Sequence, residues 1–231
     1  IRDAMESRGL GDVYKRPPER SVASDRLMRA EAHARRHPDD ADAARRAEVA
    51  RRVVDKAHYY DEARAFAAAV AEEGTGAVLV TGGGSGIMEA ANRGALEKGA
   101  PSLGFNIALP YEQTPNRYVT PELCFQFHYF AIRKMHFLLR ACALAAFPGG
   151  YGTLDELFET LTLVQTRKIE PMPVLLFGEA FWRRIVDFDA LVDEGVIAPE
   201  DRDLITFVET AEEGAAIVAR EVANRGPTRT T

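Results

Sequence analysis

Apolar residues occur along this chain in two alternating kinds of block. Short, largely apolar runs of strand length lie at residues 77–81, 102–109, 123–127, 143–147, 174–177 and 204–208. Between them apolar positions recur at helical spacing, as in Ile87, Ala90, Ala91, Gly94 and Ala95, or Leu154, Leu157, Phe158, Leu161 and Val164. Helices are expected up to Gly99, over 129–141, from Thr153 onward, and over 181–194 and 211–223. Ahead of the first run, Pro38-Asp39-Asp40 divides an Ala-, Arg- and Glu-rich region into two helical segments, with Asp39 or Asp40 as the cap. Residues 1–25 read as a charged, proline-containing arm or loop. The alternation predicts an α/β fold, a Rossmann-like, mainly parallel sheet with helices on both faces and extra N-terminal helices. The expected division is an arm and helix over 1–40, the Rossmann-like domain over 41–225, and a frayed tail over 226–231. The polar, proline-marked stretch 110–121 is long enough to be a lid or a partner contact.

Composition narrows the function classes. The 231 residues carry a formal net charge of -6, which argues against a nucleic-acid-binding surface. The arginine pairs at 35–36, 45–46 and 51–52 read as a solvated helix face. No run approaches the ~18 apolar residues of a membrane span, and no secretory signal is recognisable. Cys124 and Cys142 form neither a disulfide framework nor a metal-binding spacing. A cytoplasmic, enzyme-sized domain is expected.

Two glycine-rich loops, at 82–86 and 148–152, each follow a strand-like run and precede a helix. In a parallel sheet such loops line the ligand crevice, so both should open on one sheet edge. The first is not a dinucleotide fingerprint: Gly-x-Gly-x-x-Gly fails at Ile87 when read from Gly82, and at Glu89 when read from Gly84. There is no Gly-Lys-Ser/Thr phosphate loop either, whereas a nucleoside monophosphate is compatible. A single glycine loop is ordinarily a tight turn; two on one edge suggest a site. Thr153 as helix cap puts Glu156 in the first turn, so an anion cradle and a carboxylate lie about one helical turn apart. Arg133, at the start of the helix leading to the run before Pro148, is a candidate for the same crevice or for a surface salt bridge. Glu89 is a further carboxylate near the crevice, and Asp155 is expected to point outward. His128 and His136 have no third ligand in register, so packing rather than metal is expected. Lys134 could form a Schiff base, but nothing nearby marks a pyridoxal phosphate pocket.

Residues 148–156, PGGYGTLDE, match the signature of the Lonely Guy family, often labelled "possible lysine decarboxylase". Residues 82–91, GGGSGIMEAA, resemble its second motif, and Arg133-Lys134 its arginine–lysine pair. The resemblance runs from about Tyr59 to Val222. Around Phe125-Gln126-Phe127-His128-Tyr129-Phe130 it is similar to the larger bacterial nucleotide 5′-monophosphate nucleosidases. It implies hydrolysis of the N-glycosidic bond of a purine or cytokinin-type nucleoside 5′-monophosphate, giving free base and ribose 5-phosphate without metal or organic cofactor. The family's catalytic positions fall on Arg133 and Glu156. Substrate contacts are expected at Gly83, Gly84, Ser85, Gly86, Met88, Glu89, Lys134, Gly149, Gly150, Gly152 and Thr153. A homodimer or higher homo-oligomer is implied, since the family's sites are completed near a subunit interface. A nucleotide or molybdenum-cofactor carrier on the same scaffold, without turnover, is the alternative. Two departures stand out. The family's sheet usually begins with a strand ending in a Gly-Ser-Ala-Arg-like loop, whereas residues 21–24 are too short and polar for one. Ser85 replaces a common proline.

Overall fold

The computed structural model describes residues 19–72, 76–107 and 114–225. No helix breaker lies between Pro18 and Pro38, and helix α1 (Arg20–Arg36) fills that interval. Its start at Arg20 corrects the expected arm or loop through residue 25; residues 1–18 lie outside the described residues. Asp40 caps α2 (Ala41–Asp55), its carboxylate accepting the N–H groups of Asp42 at 2.9 Å and Ala43 at 3.1 Å. The second expected segment is in fact two helices, because the chain turns at Lys56 and restarts as α3 (His58–Glu72). That turn lets Tyr59, Tyr60, Ala63, Phe66 and Val70 share one buried face.

The alternating part follows as β1 (Leu79–Thr81), α4 (Ile87–Glu97), β2 (Ser102–Ile107), a short 3-10 turn (Pro121–Leu123) and β3 (Cys124–Phe127). Then come α5 (Phe130–Leu138), β4 (Leu144–Ala146), α6 (Tyr151–Gln165), β5 (Val174–Phe177), α7 (Glu179–Ile185), α8 (Phe188–Asp193), α9 (Pro199–Arg202), β6 (Ile205–Val208) and α10 (Ala211–Arg225). The helix expected over 181–194 is broken at Asp187, whose carboxylate caps α8 through the N–H of Ala190 at 2.9 Å. The tail 226–231 and the front of the proposed lid, 110–113, lie outside the described residues.

All recorded strand pairs are parallel, as the alternation predicts, and the chain has an α/β, Rossmann-like fold. The ladder is not continuous, however. Among the described residues it forms two three-stranded sheets, β1-β2-β3 and β4-β5-β6, with no ladder joining them. This corrects the expectation of one sheet carrying both glycine loops. No strand precedes β1 among the described residues, and residues 21–24 are helical. The implied first strand therefore has no counterpart there.

Side-chain alternation along β5 shows how the second sheet is covered. Leu175 and Phe177 join a core with α3 and α10, while Val174 and Leu176 face Leu157, Trp182 and Phe188 on α6, α7 and α8. Ile87 and Ala90 of α4 belong to the same core as α3, so that helix layer spans both sheets. In the first sheet, Phe105 turns toward α5, its ring 5.1 Å from that of Phe137. Residues on the opposite face of β2, Ser102 and Asn106, are buried polar groups. No helix among the described residues is long and apolar enough to cross a membrane.

Candidate active site

The second glycine loop ends differently from the pattern's suggestion. Gly150, in an extended conformation, is the N-cap, and the helix begins at Tyr151 rather than Thr153. Thr153 is thus the third helical residue, and Glu156 sits in the second turn. The N–H groups of Tyr151, Gly152 and Thr153 belong to the first turn, where no intrahelical acceptor exists. These N–H groups are the donors the expected cradle would use, with the positive end of the helix dipole behind them. A Cβ on Gly149 would overlap the Thr153 hydroxyl, so glycine is required there by close approach. From Tyr151 to Glu156 the helix rises roughly 7.5 Å, so the first N–H groups and the Glu156 carboxylate stand about 1.4 turns apart.

Arg133 unites the two halves of the fold. Its Nη2 donates to Glu156 Oε1 at 3.0 Å. The same nitrogen lies 3.1 Å from where a Cβ of Gly82 would stand. Arg133 is 8% exposed although α5 is a short surface helix, and its guanidinium lies 5.2 Å from the Phe137 ring centroid. Aromatic faces and a carboxylate together compensate the burial of this cation. The first glycine loop and the helix that follows the second therefore meet at one guanidinium, although their strands belong to separate ladders.

The first loop is shaped by its glycines and by a polar network behind it. Gly83 has φ +68° and Gly86 φ +72°, a region that favours glycine. Ser85 is exposed, and the Met88 thioether packs over Gly82 and Gly84. Glu89 is in the first turn of α4; with burial as the larger cause, it helps raise the pKa of the Tyr60 hydroxyl. Behind the loop, Asn92 is fully buried. Its Oδ1 accepts from Thr81 Oγ1 at 2.7 Å and from Asn116 Nδ2 at 2.9 Å, and its Nδ2 donates to Ser102 Oγ at 3.0 Å.

Lys134 does not join the Arg133–Glu156 pair. Its ammonium lies 3.1 Å from both Asp155 and Glu159, and these partners, Glu159 first, raise its pKa. Together with Leu154, Phe158, Thr162 and Leu163 they line an open groove of about 540 Å³ along α6. His136 packs against the Phe127 ring at 5.2 Å and bonds the Ile132 carbonyl through Nδ1 at 2.8 Å. Asn92, Asn106 and Asn116 escaped the sequence reading. The one available signal was Asn92, a polar residue among the small apolar positions of α4. Asn106, at the end of β2, is 7% exposed, and its Oδ1 has no hydrogen-bond partner among the described residues.

Comparison with known proteins points the same way as the motifs. The family model described as "Possible lysine decarboxylase" matches residues 88–218. A cytokinin riboside 5′-monophosphate phosphoribohydrolase of Arabidopsis thaliana is 34% identical over 140 residues, which cover 58% of this chain and 63% of that protein. Its counterpart from Oryza sativa subsp. japonica is 35% identical over 164 residues, covering 68% and 65%. The chain thus spans somewhat less than two thirds of these relatives. A solved molybdenum cofactor carrier protein from Chlamydomonas reinhardtii superposes with a TM-score of 0.51 at 24% identity, over 72% of this chain and 89% of that one, and shares the fold.

Proposed function

From the premise that the chain belongs to the Lonely Guy family, whose model is described as "Possible lysine decarboxylase", we propose that it hydrolyses the N-glycosidic bond of nucleoside 5′-monophosphates. The observation that carries this reading is the Glu156 carboxylate, held at 3.0 Å by a buried Arg133 and about 1.4 turns from the first N–H groups of its helix. The 5′-phosphate binds the N–H groups of Tyr151, Gly152 and Thr153. This binding fixes the ribose over Glu156, so that remote contacts serve orientation at the reacting carbon. As the bond from C1′ to the base nitrogen breaks, positive charge develops on the ribose ring, and the carboxylate stabilises it. Water adds to C1′, its proton is lost to solvent or the departing base, and ribose 5-phosphate and free base remain. Arg133 orients the carboxylate and helps close the site.

The decarboxylase label finds less support. A Schiff-base lysine must lose its proton, whereas Asp155 and Glu159 hold the proton on Lys134 more firmly.

A second copy of the chain is the expected partner. Helix α5 buries Arg133 but leaves Ile132 and Met135 exposed at 46% and 51%, and Leu139 at its C-cap at 64%, an apolar stripe that a soluble monomer rarely leaves uncovered. Sedimentation of wild type against Met135→Glu should show a dimer lost in the variant.

Incubation with AMP, GMP, CMP and cytokinin monophosphates, followed by chromatography of free bases, tests the activity. Release by wild type and none by Glu156→Ala is expected. Retention of nucleotide without release would instead favour a carrier, and no binding at all would remove both readings.

A further inference from the structure

Asn116 lies in the described part of the segment between β2 and β3, more than thirty residues along the chain from the first glycine loop, yet it grips that loop twice. Its backbone N–H donates to the Gly83 carbonyl at 2.7 Å, and its Nδ2 donates to the Gly84 carbonyl at 3.0 Å. In a planar trans peptide the carbonyl of one residue and the N–H of the next point in opposite directions. Two carbonyls turned toward Asn116 therefore turn the N–H groups of Gly84 and Ser85 away from it. Among the described residues neither of these donates a hydrogen bond. Successive N–H groups aimed the same way form an anion-binding concavity.

We propose that Asn116 is a positioning residue that sets the Gly84 and Ser85 N–H groups as donors to the nucleotide. The proposal rests on the reading that the chain binds nucleoside 5′-monophosphates. The side chain is itself held: Oδ1 accepts the Tyr118 N–H at 3.1 Å, and Nδ2 also reaches Asn92 Oδ1 at 2.9 Å. Asn92 is anchored in turn to Thr81 and Ser102, and the Gly83 N–H donates to Thr81 Oγ1 at 3.0 Å. The loop is thereby clamped from behind, leaving one set of peptide faces toward the crevice. An aspartate at 116 would keep the acceptor for Tyr118 but place an oxygen against the Gly84 carbonyl and Asn92 Oδ1, turning attraction into repulsion.

The test compares Asn116→Ala and Asn116→Asp with Ser102→Ala, which cuts the same network without touching the glycine loop. All three should lose thermal stability. Only the Asn116 variants should raise KM for AMP, by roughly tenfold, the scale of one charge-assisted hydrogen bond, with kcat within about twofold. In parallel, ¹⁵N amide shifts of Gly84 and Ser85 are followed as AMP or inorganic phosphate is titrated into the full chain. Shifts in wild type that weaken in both Asn116 variants support the proposal even if no base is released, in which case only the hydrolytic reading fails. Gly84 and Ser85 amides that ignore AMP overturn it. So does an unchanged KM or Kd in the Asn116 variants, or an equal loss of affinity in Ser102→Ala.

Discussion

The Arg133–Glu156 pair makes an asymmetric prediction, because its two members sit in different surroundings. The guanidinium side chain is 9% exposed and the carboxylate 34% exposed. Glu156→Ala takes away an acceptor 3.0 Å from a buried cation, and little water can replace it. A hydrogen bond between charged groups contributes roughly 1.5–3 kcal/mol, and the partial exposure of Glu156 argues for the low end, about 1.5 kcal/mol. For a domain of this size that corresponds to a fall in Tm of roughly 3–6 °C. Arg133→Met fills much of the same volume between Phe130 and Phe137 and leaves a carboxylate that water can reach. Its cost should be smaller, about 0.5–1 kcal/mol. The double variant should cost less than the sum of the singles, with a coupling of about 1 kcal/mol. Thermal denaturation of the four proteins measures this cycle, and base release measured alongside should fall at least about a hundredfold in each single variant. Strict additivity, or a larger Tm loss for Arg133→Met than for Glu156→Ala, would refute the assignment of burial and coupling to this pair.

Lys134 supplies a pH prediction: its folded pKa is raised, so its contribution is fully present below the ordinary lysine value and disappears as pH rises through the higher folded one. Lys134→Met should lower Tm by a constant amount from neutral pH up to the ordinary lysine range, and the gap from wild type should close above it. Gly149→Ala should cost about 1–3 kcal/mol of stability, because its Cβ would displace Thr153, and should raise KM for AMP together with it. Asn106→Leu removes a buried amide oxygen that has no partner among the described residues, so Tm should rise, by roughly 2–4 °C for each kcal/mol recovered. A fall in Tm would show that the amide is already satisfied.

The order of strands and helices was legible because buried parallel strands make short apolar runs and the helices between them repeat at 3.6 residues. The helix start at Tyr151 was not. Threonine is a common cap, but here Thr153 is pressed against Gly149 and Gly150 takes the capping position. The break between the two ladders was equally invisible, since an apolar run such as 143–147 looks the same whether one or both of its edges are paired. Within the site, the motif residues Arg133 and Glu156 are drawn together, whereas Lys134 is drawn to Asp155 and Glu159 instead. Asn116 carries no local pattern at all. Its role arises from a fold-back across thirty-two positions to Gly84, and composition and periodicity are blind to such distances.

The interrupted ladder has a thermodynamic meaning. A continuous parallel sheet passes unfolding from strand to strand through its hydrogen bonds, and among the described residues that route stops between the two three-stranded ladders. Among the described residues the two halves are coupled by the shared α3 core on one side, and on the other by the Arg133–Glu156 pair and the bridges from Lys134 to Asp155 and Glu159. The chain therefore contains the ingredients of two sub-globally opening units, each with a partly buried strand, β1 or β4, beside a well-buried central one, β2 or β5. A small anion bridging both glycine loops would act as a cross-link between those units, and its occupancy would be read in the hydrogen exchange of strands it never touches.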